Sequence, residues 1–166
     1  LIADNNYMFC TFDLTRSQDG IYFSEPASGI YRYDAESGEA QQVVSGIACR
    51  ILDTEEGLYV TCSDTGEVYQ IENGEARFLL TLEKESQIAV RPVGVKNGVL
   101  YWNWYATDLS TGETKEHPVF RARRSQPQII RQGKAYCLGA DGEIGYVDPT
   151  GGTESYRLLT DELKRT

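Results

Sequence analysis

Apolar and polar residues alternate along this chain in short runs, and many of the runs are ended by glycine, asparagine or aspartate. A period of two marks strands that bury one face. Four runs, at 20–23, 57–60, 98–102 and 133–136, open on glycine and carry the tyrosines Tyr22, Tyr59, Tyr101 and Tyr136, which are 37, 42 and 35 residues apart. Second runs, at 30–34, 68–72, 119–123 and 144–148, follow three tight turns, Ser28-Gly29, Asp64-Thr65-Gly66 and Asp141-Gly142. Glycine supplies the positive φ that such turns need. Third runs are predicted at 41–45, 76–82 and 154–159, and a leading run before each unit at 8–12, 47–51, 88–91 and 128–131. Stacking the leading runs aligns Thr11, Arg50, Arg91 and Arg131 at spacings of 39, 41 and 40 residues.

A repeat of roughly 40 residues with four strands is the unit of a β-propeller blade. The pattern predicts an all-β chain of about four propeller-type blades of antiparallel strands. One repeat domain would span 1–166, in units of about 7–45, 46–86, 87–126 and 127–160. The third unit departs from the others. Its first hairpin is stretched from Trp104 to His117, with a turn at Ser110-Thr111-Gly112, and little chain remains before Pro127 for an outer strand. A protruding hairpin and a three-stranded blade, or one completed by a donated strand, are expected there. Helix is expected only after Thr160.

The stretch Gly20-Ile21-Tyr22-Phe23-Ser24-Glu25-Pro26-Ala27-Ser28-Gly29-Ile30-Tyr31-Arg32-Tyr33-Asp34 resembles a blade of the six- and seven-bladed propeller superfamily. That group holds gluconolactonase-like, strictosidine-synthase-like and streptogramin lyase enzymes, YWTD modules and Tyr-rich bacterial cell-surface propellers. The resemblance implies either part of a larger propeller, a small four-bladed one, or a ring closed by oligomerisation. A β-sandwich is the outside alternative.

Charge narrows the partners. Sixteen basic against 25 acidic residues leave a net charge of −9, which argues against nucleic acid or an anionic membrane surface, since both need a basic face. No apolar run reaches the ~18 residues of a membrane span. The chain starts at Leu1, so we expect a fragment or mature domain of a longer protein. Cys10, Cys49, Cys62 and Cys137 form no Cys-x-x-Cys pair. Comparison between repeats, with Cys10 opposite Cys49 and Cys62 opposite Cys137, favours buried free thiols over a disulfide framework.

Candidate chemistry is sparse. His117 is the chain's one histidine, and beside Pro118 in a loop it reads as a solvated side chain before it reads as a base. Asp13, Asp53 and Glu25 near strand ends read as turn chemistry rather than cation ligands, so no metal or other cofactor is expected. Arg50, Arg91 and Arg131 on leading strands would gather near a propeller axis. There they would either brace neighbouring blades, the role expected here, or hold an anion in their guanidinium forks. In Tyr101-Trp102-Asn103-Trp104-Tyr105, strand alternation puts Trp102 and Trp104 on one face. One face must pack, while Trp104, Tyr105 and the His117 hairpin would offer a recognition surface for protein or carbohydrate.

These features point to a non-catalytic binding or scaffolding propeller module of a secreted or surface-attached bacterial protein. An extracytoplasmic setting is favoured over a cytoplasmic one. The alternatives are a fragment of a lactonase- or lyase-type propeller enzyme with its active residues in missing blades, or a structural domain that forms oligomers.

Overall fold

A computed structural model of the chain describes residues 13–83, 89–122, 126–139 and 142–159. Sixteen strands in four sheets account for most of them. The first sheet holds β1 (Leu14–Ser17), β2 (Gly20–Glu25), β3 (Gly29–Tyr33) and β4 (Ala40–Ser45). The second holds β5 (Cys49–Thr54), β6 (Gly57–Cys62), β7 (Glu67–Glu72) and β8 (Glu75–Thr81). The third holds β9 (Pro92–Lys96), β10 (Val99–Trp102), β11 (Tyr105–Asp108) and β12 (Thr114–Glu116), and is followed by the helical turn α1 (Pro118–Ala122). The fourth holds β13 (Gln126–Arg131), β14 (Lys134–Leu138), β15 (Ile144–Val147) and β16 (Arg157–Leu158). In every sheet the strands lie in chain order, each hydrogen-bonded to the next, so each sheet is an antiparallel meander of the predicted blade type.

Two-residue turns fix the register. At Asn97-Gly98 both residues have positive φ (53° and 70°), as have Gln132-Gly133 (49° and 68°), the geometry that lets a hairpin reverse without splaying its strands. Alternation then sorts the faces. On β2, Tyr22 and Ser24 are buried while Ile21 and Phe23 are half-buried.

The chain divides into two compact units. One takes in the described residues up to Asp53 together with Gly57–Val90, and the other takes in Thr54–Glu56 and those from Arg91 onward. The first packs Tyr22, Ile30, Val44, Ile51, Leu58 and Val60 into one cluster. The second packs Tyr101, Val119, Phe120, Ala135, Cys137 and Val147 into another.

Five sequence expectations are corrected. The third sheet has four strands of its own and no long hairpin. Asn103 takes φ 48°, so the chain reverses directly after Trp102. The following turn copies one in the first sheet. Asp108 N–H donates to Glu113 O at 3.0 Å and Gly112 N–H to Asp108 O at 2.8 Å, as Asp34 N–H does to Glu39 O and Gly38 N–H to Asp34 O, both at 2.9 Å. The expected strand over 119–123 is α1 instead, because Pro118 cannot donate to a ladder and its fixed φ suits a first helical residue.

The leading strands are displaced from the expected 47–51, 88–91 and 128–131: the second begins at Cys49, the third at Pro92, and the fourth already at Gln126. The last outer strand is short, a 3-10 turn at Thr153–Ser155 leaving only Arg157–Leu158 extended. Lastly, Cys49 and Cys62 are joined in a disulfide, and Cys137 is a buried free thiol. The predicted strand at 8–12, Cys10 and the helical tail lie outside the described residues.

Candidate functional site

The three arginines take three different places. Counted from the tight turns, Arg131 is the last residue of β13, Arg50 is the second residue of β5, and Arg91 precedes β9. They are therefore not equivalent positions, and their even spacing reflects linkers of unequal length.

Arg50 holds Asp13 with both arms of its fork, Nε to Oδ2 at 2.7 Å and Nη2 to Oδ1 at 2.9 Å. Ile51 N–H donates to the same carboxylate at 2.9 Å. Asp13 is itself tied to β2, its N–H donating to Ser24 Oγ at 2.8 Å and its carbonyl accepting Ser24 N–H at 3.0 Å. The hydrogen bond to Asp13 raises the guanidinium pKa, opposed in part by burial. The pair thus bolts β5 to the entry of the first sheet. Asp53 and Glu25 do ordinary turn and strand work: Asp53 accepts Thr15 Oγ1 at 2.8 Å, and Glu25 accepts Ser28 Oγ and Ala27 N–H. Arg91 is exposed. Its backbone exchanges two bonds with Asn103, Arg91 N–H to Asn103 Oδ1 and Asn103 N–H to Arg91 O, both 3.0 Å. Arg131 is exposed.

The predicted aromatic group is largely interior. Trp102 is buried, its Nε1 donating to Thr107 Oγ1 at 2.9 Å and its ring 4.7 Å from that of Tyr105. Trp104 is half-buried against the second unit's core, and Tyr105 is half-buried. His117, expected in solvent, is 5% exposed. Its ring stacks on Phe120 at 4.0 Å and meets Tyr101 edge-on at 5.7 Å. Nε2 bonds the carbonyl of Pro149 at 2.8 Å, and Nδ1 has no partner among the described residues. Burial lowers its pKa below the ordinary value, with the bond to Pro149 O pulling weakly the other way. Burial is also the larger reason that the Tyr101 hydroxyl is raised, with the charges of Asp148 and Glu56 adding to it.

Sequence reasoning missed a pair of carboxylates at the β5–β6 turn. Glu56 accepts N–H from Asn97 and from Gly98 (2.9 Å to the latter), and Glu55 accepts Gln132 N–H at 3.1 Å. Each carboxylate therefore caps a tight turn within the second unit. The signal was present in the composition of the turns, where an acidic pair stands in place of the Asn-Gly or Gln-Gly of its counterparts. Beside them Lys96 Nζ donates to Gly133 O at 2.8 Å and to Asp148 at 3.0 Å. The Thr150 N–H and hydroxyl, then Lys96, lower the Asp148 carboxyl to about 2. Carboxylates held this way are poor proton acceptors. No group of three or more His, Cys, Asp or Glu that could hold a metal ion occurs among the described residues.

One surface of the second unit remains open. Ile129, Leu138 and Ile144 are 41%, 45% and 48% exposed. Leu138 lies opposite Ile144 across β14–β15, and Ile129 opposite Tyr136 across β13–β14. All three lie on the face of the sheet opposite the buried Ala135 and Cys137 of β14. Lys134 Nζ sits 4.1 Å over the ring of Tyr146 at one end of this face.

No protein-family model matches the chain, and no curated protein matches it. Solved structures do. The chain is similar to the computationally designed Ika4 protein, with a TM-score of 0.63 at 14% identity over 87% of this chain and 94% of that one. It is similar to the designed Ika8 protein, with a TM-score of 0.55 at 14% identity over 88% of this chain and 46% of that one. Virginiamycin B lyase from Staphylococcus aureus, solved with selenomethionine, gives 0.56 at 18% identity over 88% and 54%. The chain thus spans about half the length of the last two. At these identities the likeness is one of fold, and with the four meander sheets it makes this an all-β, propeller-like chain.

Proposed function

We propose that the chain is a non-catalytic binding module whose contact surface is the exposed Ile129, Leu138 and Ile144 face of the fourth sheet. The observation that carries this is the state of its acid–base groups. The one histidine is packed against Phe120 with a ring nitrogen on a backbone carbonyl, and the nearby carboxylates are occupied by N–H groups and Lys96. A general base needs an accessible lone pair near a substrate. Three large aliphatic side chains, each more than two-fifths exposed on one sheet, suit contact with another protein. Carbohydrate stacking would call on flat aromatic faces, and both tryptophans are largely packed. The buried Cys49–Cys62 bond supports an extracytoplasmic setting, where such bonds persist.

Leu138→Ser combined with Ile144→Ser tests the reading. The variant should keep the wild-type melting temperature and β-type circular dichroism. Among proteins of the surrounding extracytoplasmic fraction, binding partners of the wild type should be lost. Retained binding would move the surface elsewhere. Turnover of lactone or lyase substrates by the purified chain, abolished in a folded His117→Phe variant, would overturn the non-catalytic reading.

A further inference from the structure

The partnerless Nδ1 of His117 has a second consequence. A carbonyl only accepts, so the bond to Pro149 O fixes the ring proton on Nε2 and leaves Nδ1 as a bare lone pair. His117 stands between β12 and α1, while Pro149 lies in the turn that follows β15. The imidazole therefore joins the end of the third sheet to a turn of the fourth. We propose that His117 is an acid-sensitive latch: its neutral ring holds the Pro149 turn in place, and protonation at Nδ1 releases it.

The surroundings of the ring favour release. An Nδ1 proton would be a charged donor with no acceptor among the described residues, in a slot walled by Phe120 and Tyr101. Stacking on Phe120 and the retained Nε2–H bond to Pro149 O offset part of that charge, but among the described residues no carboxylate turns to it. Asp148, next to Pro149, is taken by Lys96 and Thr150. Glu56, on the Tyr101 side, is taken by Asn97 and Gly98 N–H. On β12 itself, Lys115 pairs with Glu113 at 2.9 Å, and Glu116 is exposed.

The sign follows from linkage. An unburied histidine titrates near ~6.5, and burial lowers the latched one. The latch is therefore at full strength above ~6.5 and weakens as pH falls below it, by up to about tenfold per pH unit. The chain has one histidine, and the carboxyls of Asp19, Asp34, Asp108 and Asp148 are lowered, away from that window.

Two measurements on the full chain test this. Amide exchange of Thr150 and Gly151, whose N–H groups bond to Asp148, is followed between pH 7.5 and 5 and corrected for intrinsic exchange. The opening ratio should rise by up to about tenfold per unit below ~6.5 in the wild type. It should stay flat in His117→Gln, whose amide donates to Pro149 O without titrating. A flat wild type, or an equal rise in His117→Gln, overturns the proposal. Should the variant not fold, NMR titration of the wild-type imidazole decides, and an apparent pKa at or above ~6.5 overturns it.

Discussion

Replacing Cys49 and Cys62 together with alanine removes a covalent link in the first unit's core, and the magnitude of the loss can be worked out. The bond spans a sequence separation of 13. Cross-linking a loop of that size restricts the unfolded chain by about 3 kcal/mol. Both sulfurs are fully buried, and a Cβ added at Gly46 would lie only 2.8 Å from Cys49 Sγ, so their removal also leaves a void. At about 1 kcal/mol for a methyl-sized gap, the total loss is about 4 kcal/mol. Urea unfolding reads it directly. The midpoint should fall, and the slope should rise, because the uncrosslinked unfolded chain exposes more surface. Thiol counting is the companion measurement. Of the four cysteines, no more than two should react in denatured, unreduced protein, and all four after reduction. Four reactive thiols without reductant, or a double variant within about 1 kcal/mol of wild type, would refute the reasoning, since loop closure alone demands more.

Three further perturbations separate bracing, capping and packing. Arg50→Ala should lower stability by no more than about 1 kcal/mol, because a half-exposed pair is screened; Asp13→Ala should lose about 1–3 kcal/mol, since Ile51 N–H is also left without its acceptor. Thermal melts with added sulfate should show the same shift for wild type and Arg50→Ala; a shift confined to the wild type would favour an anion site. Glu56→Ala should lose about 1–3 kcal/mol by stranding Asn97 and Gly98 N–H, and Glu56→Gln less, as read by chemical denaturation. Gly94→Ala and Gly98→Ala should both destabilise, for different reasons. At Gly94 a Cβ would stand 2.8 Å from Ile130 Cβ, which overpacks the core by about 1–3 kcal/mol. At Gly98 space is open but φ is +70°, which disfavours any Cβ by about 1–2 kcal/mol.

The fold was legible where glycine pinned a hairpin turn. Tyr22, Tyr59 and Tyr101 are buried on the second strand of their sheets, as their period implied. The third sheet was misread because Trp102-Asn103-Trp104-Tyr105 alternates like one continuous strand, and nothing in hydrophobicity marks Asn103 as its end. The turn motif does mark it. Tyr31, Asp34, Gly38 and Glu39 recur as Tyr105, Asp108, Gly112 and Glu113, each 74 residues on. The disulfide was legible as well, within one hairpin rather than between repeats. Cys49 stands six residues before Glu55, and Cys62 six after Glu56. A two-residue turn there sets them opposite one another, and their Cα atoms are 3.9 Å apart.

The candidate site was less legible, because a repeat constrains strands more tightly than the linkers between them. Arg50, Arg91 and Arg131 keep an even spacing only because their linkers and leading strands vary in compensating ways. What decides each arginine's role is therefore its nearest neighbour, which a period cannot supply. Asp13 fills the Arg50 fork, so an anion would have to displace a carboxylate already held by two N–H arms and a backbone amide. His117 was misplaced for the same reason. Its loop-like position beside Pro118 says nothing of Phe120 or Pro149, which reach it only once α1 and the turn after β15 are folded. In both cases the charged or titratable group is spent on joining elements of one unit. The contact surface we propose, Ile129, Leu138 and Ile144, is made of exposed side chains that the hydrophobic pattern alone would have assigned to a core.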